Sequence, residues 1–199
     1  MRVSCTDSDI KVVIKKIKAG KIIVFPTDTV YGIGCDPYNK NAVLRLYEIK
    51  KREKTKPFPV LGLSKTELEK IAEFNTLEEK IAEKFWPGQV TLVLKVKDEK
   101  IRQSLCLDKK IAVRVPNNQY VLSFLKECKF LVGTSANISG TAPFTDPNEC
   151  SKNIIRYDLL IDGGIIPSQG ESTIVEIVED DIKILRAGHV SEKEIRELN

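Results

Sequence analysis

The sequence predicts a single α/β domain built on a mixed sheet, and three observations predict it. Apolar runs of strand length alternate with amphipathic helical stretches from one end of the chain to the other. No low-complexity linker and no internal repeat divides the 199 residues, so the interleaving belongs to one domain, 1–199. Near the C-terminus, STIVEIV (Ser172 to Val178) and DIKIL (Asp181 to Leu185) flank an acidic turn and read as a hairpin. A hairpin pairs antiparallel, so the sheet is mixed.

The elements follow in order. Asp7 or Ser8 caps a helix to about Ala19, with Ile10, Val13, Ile14 and Ile17 on one face. Gly20 stops it, and KIIVF (Lys21 to Phe25) is the first strand. Asn39 to Lys51 reads as a helix with Val43, Leu46, Tyr47 and Lys50 on one side. PFPVLGL (Pro57 to Leu63) is extended. Ser64 to Phe74 and Thr76 to Phe85 read as helices, each with a hydroxyl cap and an acid three residues on. After the WPG break come two strands, QVTLVLKV (Gln89 to Val96) and KIAVRV (Lys110 to Val115), the second ended by Pro116. Asn118 to Lys126 is helical and FLVGT (Phe130 to Thr134) is a short buried strand. Asp146 opens a short helix, DLLID (Asp158 to Asp162) is strand-like, and Ser191 to Leu198 closes the chain as a helix.

Composition narrows the function classes. Hydrophobic residues make up 42% and charged residues 30%, as in soluble globular proteins. No apolar run approaches the ~18 residues of a membrane span, and the N-terminus turns polar too soon for a secretory signal. The net charge of +4 is too small to establish a nucleic-acid partner. Five cysteines, an odd number without C-x-x-C spacing, read as reduced packing thiols of a cytoplasmic protein. A single histidine, His189, argues against a histidine-based metal centre.

The familiar nucleotide signatures are missing. There is no G-x-x-x-x-G-K-[ST], and the G-x-G of Gly32 and Gly34 meets Pro37 where a third glycine belongs. Polar clusters remain, most of them where predicted strands end: Thr27-Asp28-Thr29, Arg114, and GTSANISG (Gly133 to Gly140). Ligands of open α/β sheets bind beyond such strand ends. GTSANISG fits either a turn with side-chain caps or an anion cradle. Lys50 to Lys56 holds five cations and one anion. That run fits either open solvent or a phosphate gripped by Arg52, with Lys50 and Lys56 as point charges.

Taken together, five segments resemble one family. PTDTVYGIGCD, IKKREKTKPFPV, WPGQVTLVL, AVRVPN with GTSANISG, and STIVEI followed by ILRAG match, in order, the YrdC-type threonylcarbamoyl-AMP synthases. The resemblance covers nearly the whole chain and looks like the short, single-domain form. It implies a twisted mixed parallel/antiparallel sheet flanked by helices, with a large positively charged concave cavity. It also implies condensation of L-threonine, bicarbonate and ATP, the last with Mg²⁺, to L-threonylcarbamoyl-AMP and pyrophosphate. A tRNA threonylcarbamoyl transferase complex would then modify tRNA beside the anticodon. The implied site places Thr29, Arg114 and Ser172 on threonine, with Arg114 on its carboxylate. Lys50 and Arg52 would be catalytic and face the phosphates. Arg52, Lys56, Ser135, Asn137 and Arg186 would bind ATP. Pro143 stands where family members often carry serine, which removes a hydroxyl and an N–H there.

Two rivals make different expectations. A noncatalytic module for tRNA or double-stranded RNA suits a basic cavity, yet aromatics are only 7% and scattered. A carbamoyltransferase module of the hydrogenase-maturation type would come with acylphosphatase and zinc-finger-like regions, for which this chain has no room.

Overall fold

A computed structural model describes residues 1–167 and 170–198. Residues 168, 169 and 199 of the predicted domain, and the Asp7 side chain as a helix cap, lie outside the described residues. The chain opens with β1 (Arg2–Ser4), α1 (Asp7–Lys18), β2 (Ile23–Phe25) and β3 (Gly32–Gly34). Then come α2 (Lys40–Lys50), β4 (Val60–Gly62), α3 (Lys65–Leu68), β5 (Ala72–Glu73) and α4 (Thr76–Phe85). The middle of the chain holds β6 (Val90–Val96), α5 (Glu99–Ser104), β7 (Lys110–Arg114), α6 (Gln119–Cys128), β8 (Phe130–Val132) and β9 (Thr134–Ser135). It ends with α7 (Pro147–Asn153), β10 (Leu159–Asp162), β11 (Thr173–Val178), β12 (Asp181–Arg186) and α8 (Glu192–Arg196).

The expected mixture of parallel and antiparallel pairing is present, divided between two sheets. One runs β1-β10-β2-β3-β9, and the other β12-β11-β6-β7-β4-β8 with β5 added to β6. β1, β10 and β2 are parallel neighbours, as are β11 with β6 and β4 with β7. The β11–β12 hairpin is antiparallel. β2 is buried on both faces, which is why KIIVF reads as unbroken apolar sequence. Val24 enters one apolar cluster with Ile33, Leu46 and Leu92, while Ile23 and Phe25 enter a second with Val13, Phe124 and Ile161.

The sheets meet where β3 passes β8. The Val132 N–H donates to Cys35 O at 2.9 Å. A Cβ on Gly34 would sit 1.6 Å from Val132 O, so only glycine permits this approach. Gly34 is therefore a packing device between sheets, while a Cβ on Gly32 would meet the Phe25 ring within its own sheet at 2.9 Å. Chain passage from β8 to β9 through Gly133 carries the backbone from one sheet to the other.

Several expectations are corrected. The predicted helix at Ser64 to Phe74 stops at Leu68, and Ala72–Glu73 pairs with β6 instead. The spacing of Leu68, Ile71 and Ala72 is helical, but the edge of β6 gives this backbone sheet partners, and Ile71 O accepts from Lys97 N at 2.8 Å. α4 is capped by Asn75 in a reciprocal box with Glu78, one residue before the predicted Thr76. α1 begins after Thr6. β1, β3, β9 and α5 were not expected at all.

Candidate active site between the sheets

A cavity of about 340 Å³ takes its lining from both sheets. Period-two alternation along β7 turns Lys110, Ala112 and Arg114 toward it while Ile111 and Val113 enter the core. Thr91 and Val93 of β6 lie beside them. On β12 a register shift opposite Ile174 and Val175 leaves Leu185 without a strand partner. That bulge breaks the alternation, so Leu185 and Arg186 both line the cavity.

Arg114 is almost wholly buried beneath the polar end of β2. Its Nη2 donates to Asp28 Oδ1 at 2.6 Å and its Nε to Gly88 O at 2.7 Å. Nη1 approaches Thr29 Oγ1 at 3.4 Å. A guanidinium has five N–H groups, so two remain for an anion. Burial pushes the Arg114 pKa down, the Asp28 carboxylate resists, and Arg186 adds to the lowering. Thr29 is held by Thr27, their hydroxyl oxygens lying 2.9 Å apart. The buried Asp28 Oδ2 has no hydrogen-bond partner among the described residues.

Arg52 curls back along its own segment. Its Nε donates to Lys56 O at 2.6 Å and Nη2 to Pro57 O at 3.1 Å, with the guanidinium 5.2 Å from the Phe58 ring centre. Those contacts aim it into the cavity, with Nη1 making no hydrogen bond among the described residues. Burial lowers its pKa, Arg186 adds to this, and Tyr47 and Glu171 oppose it. Arg186 grips the start of β11: Nη1 donates to Glu171 Oε1 at 2.8 Å, and Nη2 to Ser172 O at 2.8 Å and Ser172 Oγ at 3.0 Å. Ser172 Oγ also lies 2.9 Å from Thr91 Oγ1. Among the described residues Arg52, Lys110, Arg114 and Arg186 line the cavity with one acid, Glu171; Lys110, Arg114 and Arg186 are each paired with a carboxylate, Glu176, Asp28 and Glu171 in turn.

Of the site residues predicted from sequence, Thr29, Arg52, Arg114, Ser135, Ser172 and Arg186 share this cavity. Three stand outside its lining. Lys56 is exposed and paired with Glu53 at 3.2 Å. Lys50 is buried behind the wall, and Asn137 lies against it, accepting from Lys50 Nζ at 3.0 Å.

Comparison with known proteins places the chain in a family. The Sua5/YciO/YrdC family model, described as telomere recombination, matches residues 15–188. The chain belongs to this family. A Sua5/YciO/YrdC relative from Methanocaldococcus jannaschii, named a putative threonylcarbamoyl-AMP synthase, is 38% identical over 177 residues, covering 87% of this chain and 83% of its own. The threonylcarbamoyl-AMP synthase of Pyrococcus abyssi is 33% identical over 92% of this chain, which spans only 54% of that longer protein. The crystal structure of P. abyssi Sua5 complexed with L-threonine superposes with a TM-score of 0.91 at 29% identity, covering all of this chain and 60% of Sua5.

Asp28, which the sequence marks only as part of a polar cluster, and Lys110 and Glu171, which were not singled out from it, also shape this site. Lys110 had a signal, because it stands four residues before Arg114 on an alternating strand. Asp28 lies in the polar stretch singled out, but no local rule says that it meets a guanidinium 86 residues away. Glu171 lies at a loop end without any pattern. Among the described residues no three His, Cys, Asp or Glu side chains converge to hold a metal. No described helix is long and apolar enough to cross a membrane.

Proposed function

We propose that this chain is an L-threonylcarbamoyl-AMP synthase, condensing L-threonine, bicarbonate and ATP with release of pyrophosphate. The observation that carries the reading is the convergence of Thr29, Arg52, Arg114, Ser135, Ser172 and Arg186 on one cavity. The two spare N–H groups of Arg114 receive the threonine carboxylate, and Thr29 and Ser172 offer hydroxyls to its polar atoms. The threonine amine and bicarbonate give a carbamate and water. A carbamate oxygen then attacks the α-phosphorus of ATP, and pyrophosphate leaves. Both reactants are anions; the basic lining residues offset their repulsion, and Arg52, which has no ion-pair partner among the described residues, meets charge developing on the phosphates. Positioning and electrostatics dominate such chemistry, and no histidine base is needed.

Mg²⁺ enters with ATP as part of the substrate, since Glu171, the one acidic lining residue among the described residues, is already bound to Arg186. The product goes to a tRNA threonylcarbamoyl transferase complex in the cytoplasm. A single-strand RNA platform has little support here: among the described residues only Phe25 lines the cavity with an aromatic ring.

The test is mass detection of the adenylate after incubating the chain with threonine, bicarbonate and Mg–ATP, with serine in place of threonine as the specificity control. Threonine-dependent adenylate and pyrophosphate are expected. RNA affinity that falls steeply with salt, with no ATP consumed, would replace the proposal with the noncatalytic one.

A further inference from the structure

Lys50, the last residue of α2, is among the largest fully buried side chains of the protein. A buried ammonium is costly unless its N–H groups are used. Here three N–H groups meet three oxygens: Ser135 O, Asn137 O at 2.9 Å and Asn137 Oδ1 at 3.0 Å. The same Asn137 Oδ1 accepts from Ser135 Oγ at 2.7 Å, and Asn137 Nδ2 donates to Thr141 O. Ser139 N closes the arrangement by donating to Lys50 O at 2.9 Å. The 135–141 turn is therefore wrapped around one residue, through its side chain and its main chain. Its first member, Ser135, lines the cavity, and Lys50 does not.

We propose that Lys50 is a positioning residue whose ammonium clamps the 135–141 turn in an anion-receiving shape, so that nucleotide phosphate and the Lys50 proton bind cooperatively. The proposal rests on the synthase reading for the identity of the anion. A neutral amine keeps two N–H groups and a lone pair. Loss of the proton therefore frees one of the three oxygens and sets a lone pair against it. Two neighbouring charges act on this balance. Burial lowers the Lys50 pKa to about 7, Arg52 pushes the same way, and Glu171 opposes. The last turn of α2 also favours a cation. Phosphate held by Arg52 offsets that guanidinium and so favours the ammonium. Coupling between two binding events is reciprocal. Nucleotide affinity is thus greatest below pH 7, where Lys50 is charged, and falls as pH rises through its pKa, by at most about tenfold per unit.

Calorimetry on the full chain tests this, with ATP and L-threonine titrated separately from pH 6 to 9. The proteins compared are wild type, Lys50→Met and Lys50→Arg. The ATP γ-phosphate titrates alike in all three, so the difference between proteins is the readout. Between pH 6.5 and 8.5 the wild type should lose about tenfold more ATP affinity than either variant. Threonine affinity should stay within about twofold, and the permanent charge of Lys50→Arg should restore tight ATP binding whose remaining pH dependence is that of the γ-phosphate alone. Parallel ATP pH profiles for wild type and Lys50→Met overturn the proposal. Amide NMR of wild type alone gives a second reading, independent of variant folding and of ATP. Ser135, Ala136 and Asn137 resonances that titrate near pH 7 support the clamp, and resonances flat from pH 6 to 9 refute it. Absence of ATP binding in every protein would instead count against the synthase reading, while the amide titration still decides the clamp.

Discussion

Asp28 and Arg114 meet at 2.6 Å with only 10% and 8% of their side chains exposed. A buried pair of this kind adds little net stability, because desolvation offsets attraction. Its effect is to fix the guanidinium, and removing one partner strands the other. Asp28→Ala should therefore destabilise the protein by about 3–5 kcal/mol, measured by denaturant unfolding. Asp28→Asn keeps an acceptor for Nη2 and should cost less, with threonine affinity falling more than ATP affinity. A loss below about 0.5 kcal/mol for the alanine variant, as at an ordinary surface site, would remove the pair from this role.

Arg52 is held by main-chain carbonyls and a ring face on the surface of its segment, so its loss should leave the fold intact. Arg52→Ala should slow threonine-dependent pyrophosphate release by two to three decades, about 3–4 kcal/mol of transition-state stabilisation. Near-normal release by a folded variant would exclude Arg52 from the chemistry.

Thr29 contributes a hydroxyl beside Arg114 and little else that valine lacks. Thr29→Val should raise the KM for threonine by roughly tenfold, the loss of one hydrogen bond, and leave ATP binding unchanged. Calorimetry showing the opposite split would reassign Thr29 to the nucleotide.

Far from the cavity, Asp158 ties α2 to the first sheet. It accepts from Arg45 Nη1 at 2.7 Å and from Ile22 N at 2.8 Å. Burial alone would raise its pKa, but the two hydrogen bonds outweigh it and hold the carboxyl below its usual 3.8. A depressed carboxylate contributes stability above its unfolded pKa and loses it as pH falls through the folded value. Asp158→Asn should cost about 1–3 kcal/mol at pH 7, and the gap to wild type should close below pH 3.8. A gap constant from pH 7 to pH 2 would show that the charge is irrelevant.

The long apolar strands, the C-terminal hairpin and most helices could be read from periodicity because one local pattern sufficed for each. β1 and β3 could not. Arg2–Ser4 is too short to show a pattern, with Val3 alone packing inward, and it becomes a strand because β10 pairs with it and Arg2 reaches Asp162. Gly32–Gly34 carries no strand pattern, and its glycines answer to neighbours distant from any local rule, Gly34 to Val132 of the other sheet and Gly32 to the Phe25 ring. The site shows the same division. Residues at strand ends were found from their positions, and resemblance supplied their partners. Lys50 was expected on the phosphates, but its place behind Ser135 follows from where the β9 turn folds, which sequence spacing does not encode.

The placement of β10 between β1 and β2 bears on how the protein is made. Residues 2–25 leave the ribosome long before the strand that joins them, which follows seven other strands later in the sequence. Until it is translated, Ile23 and Phe25 lack Leu159 and Ile161 as neighbours. This nascent segment thus travels with uncovered apolar surface while the intervening elements are made, the condition under which a growing chain depends on chaperones.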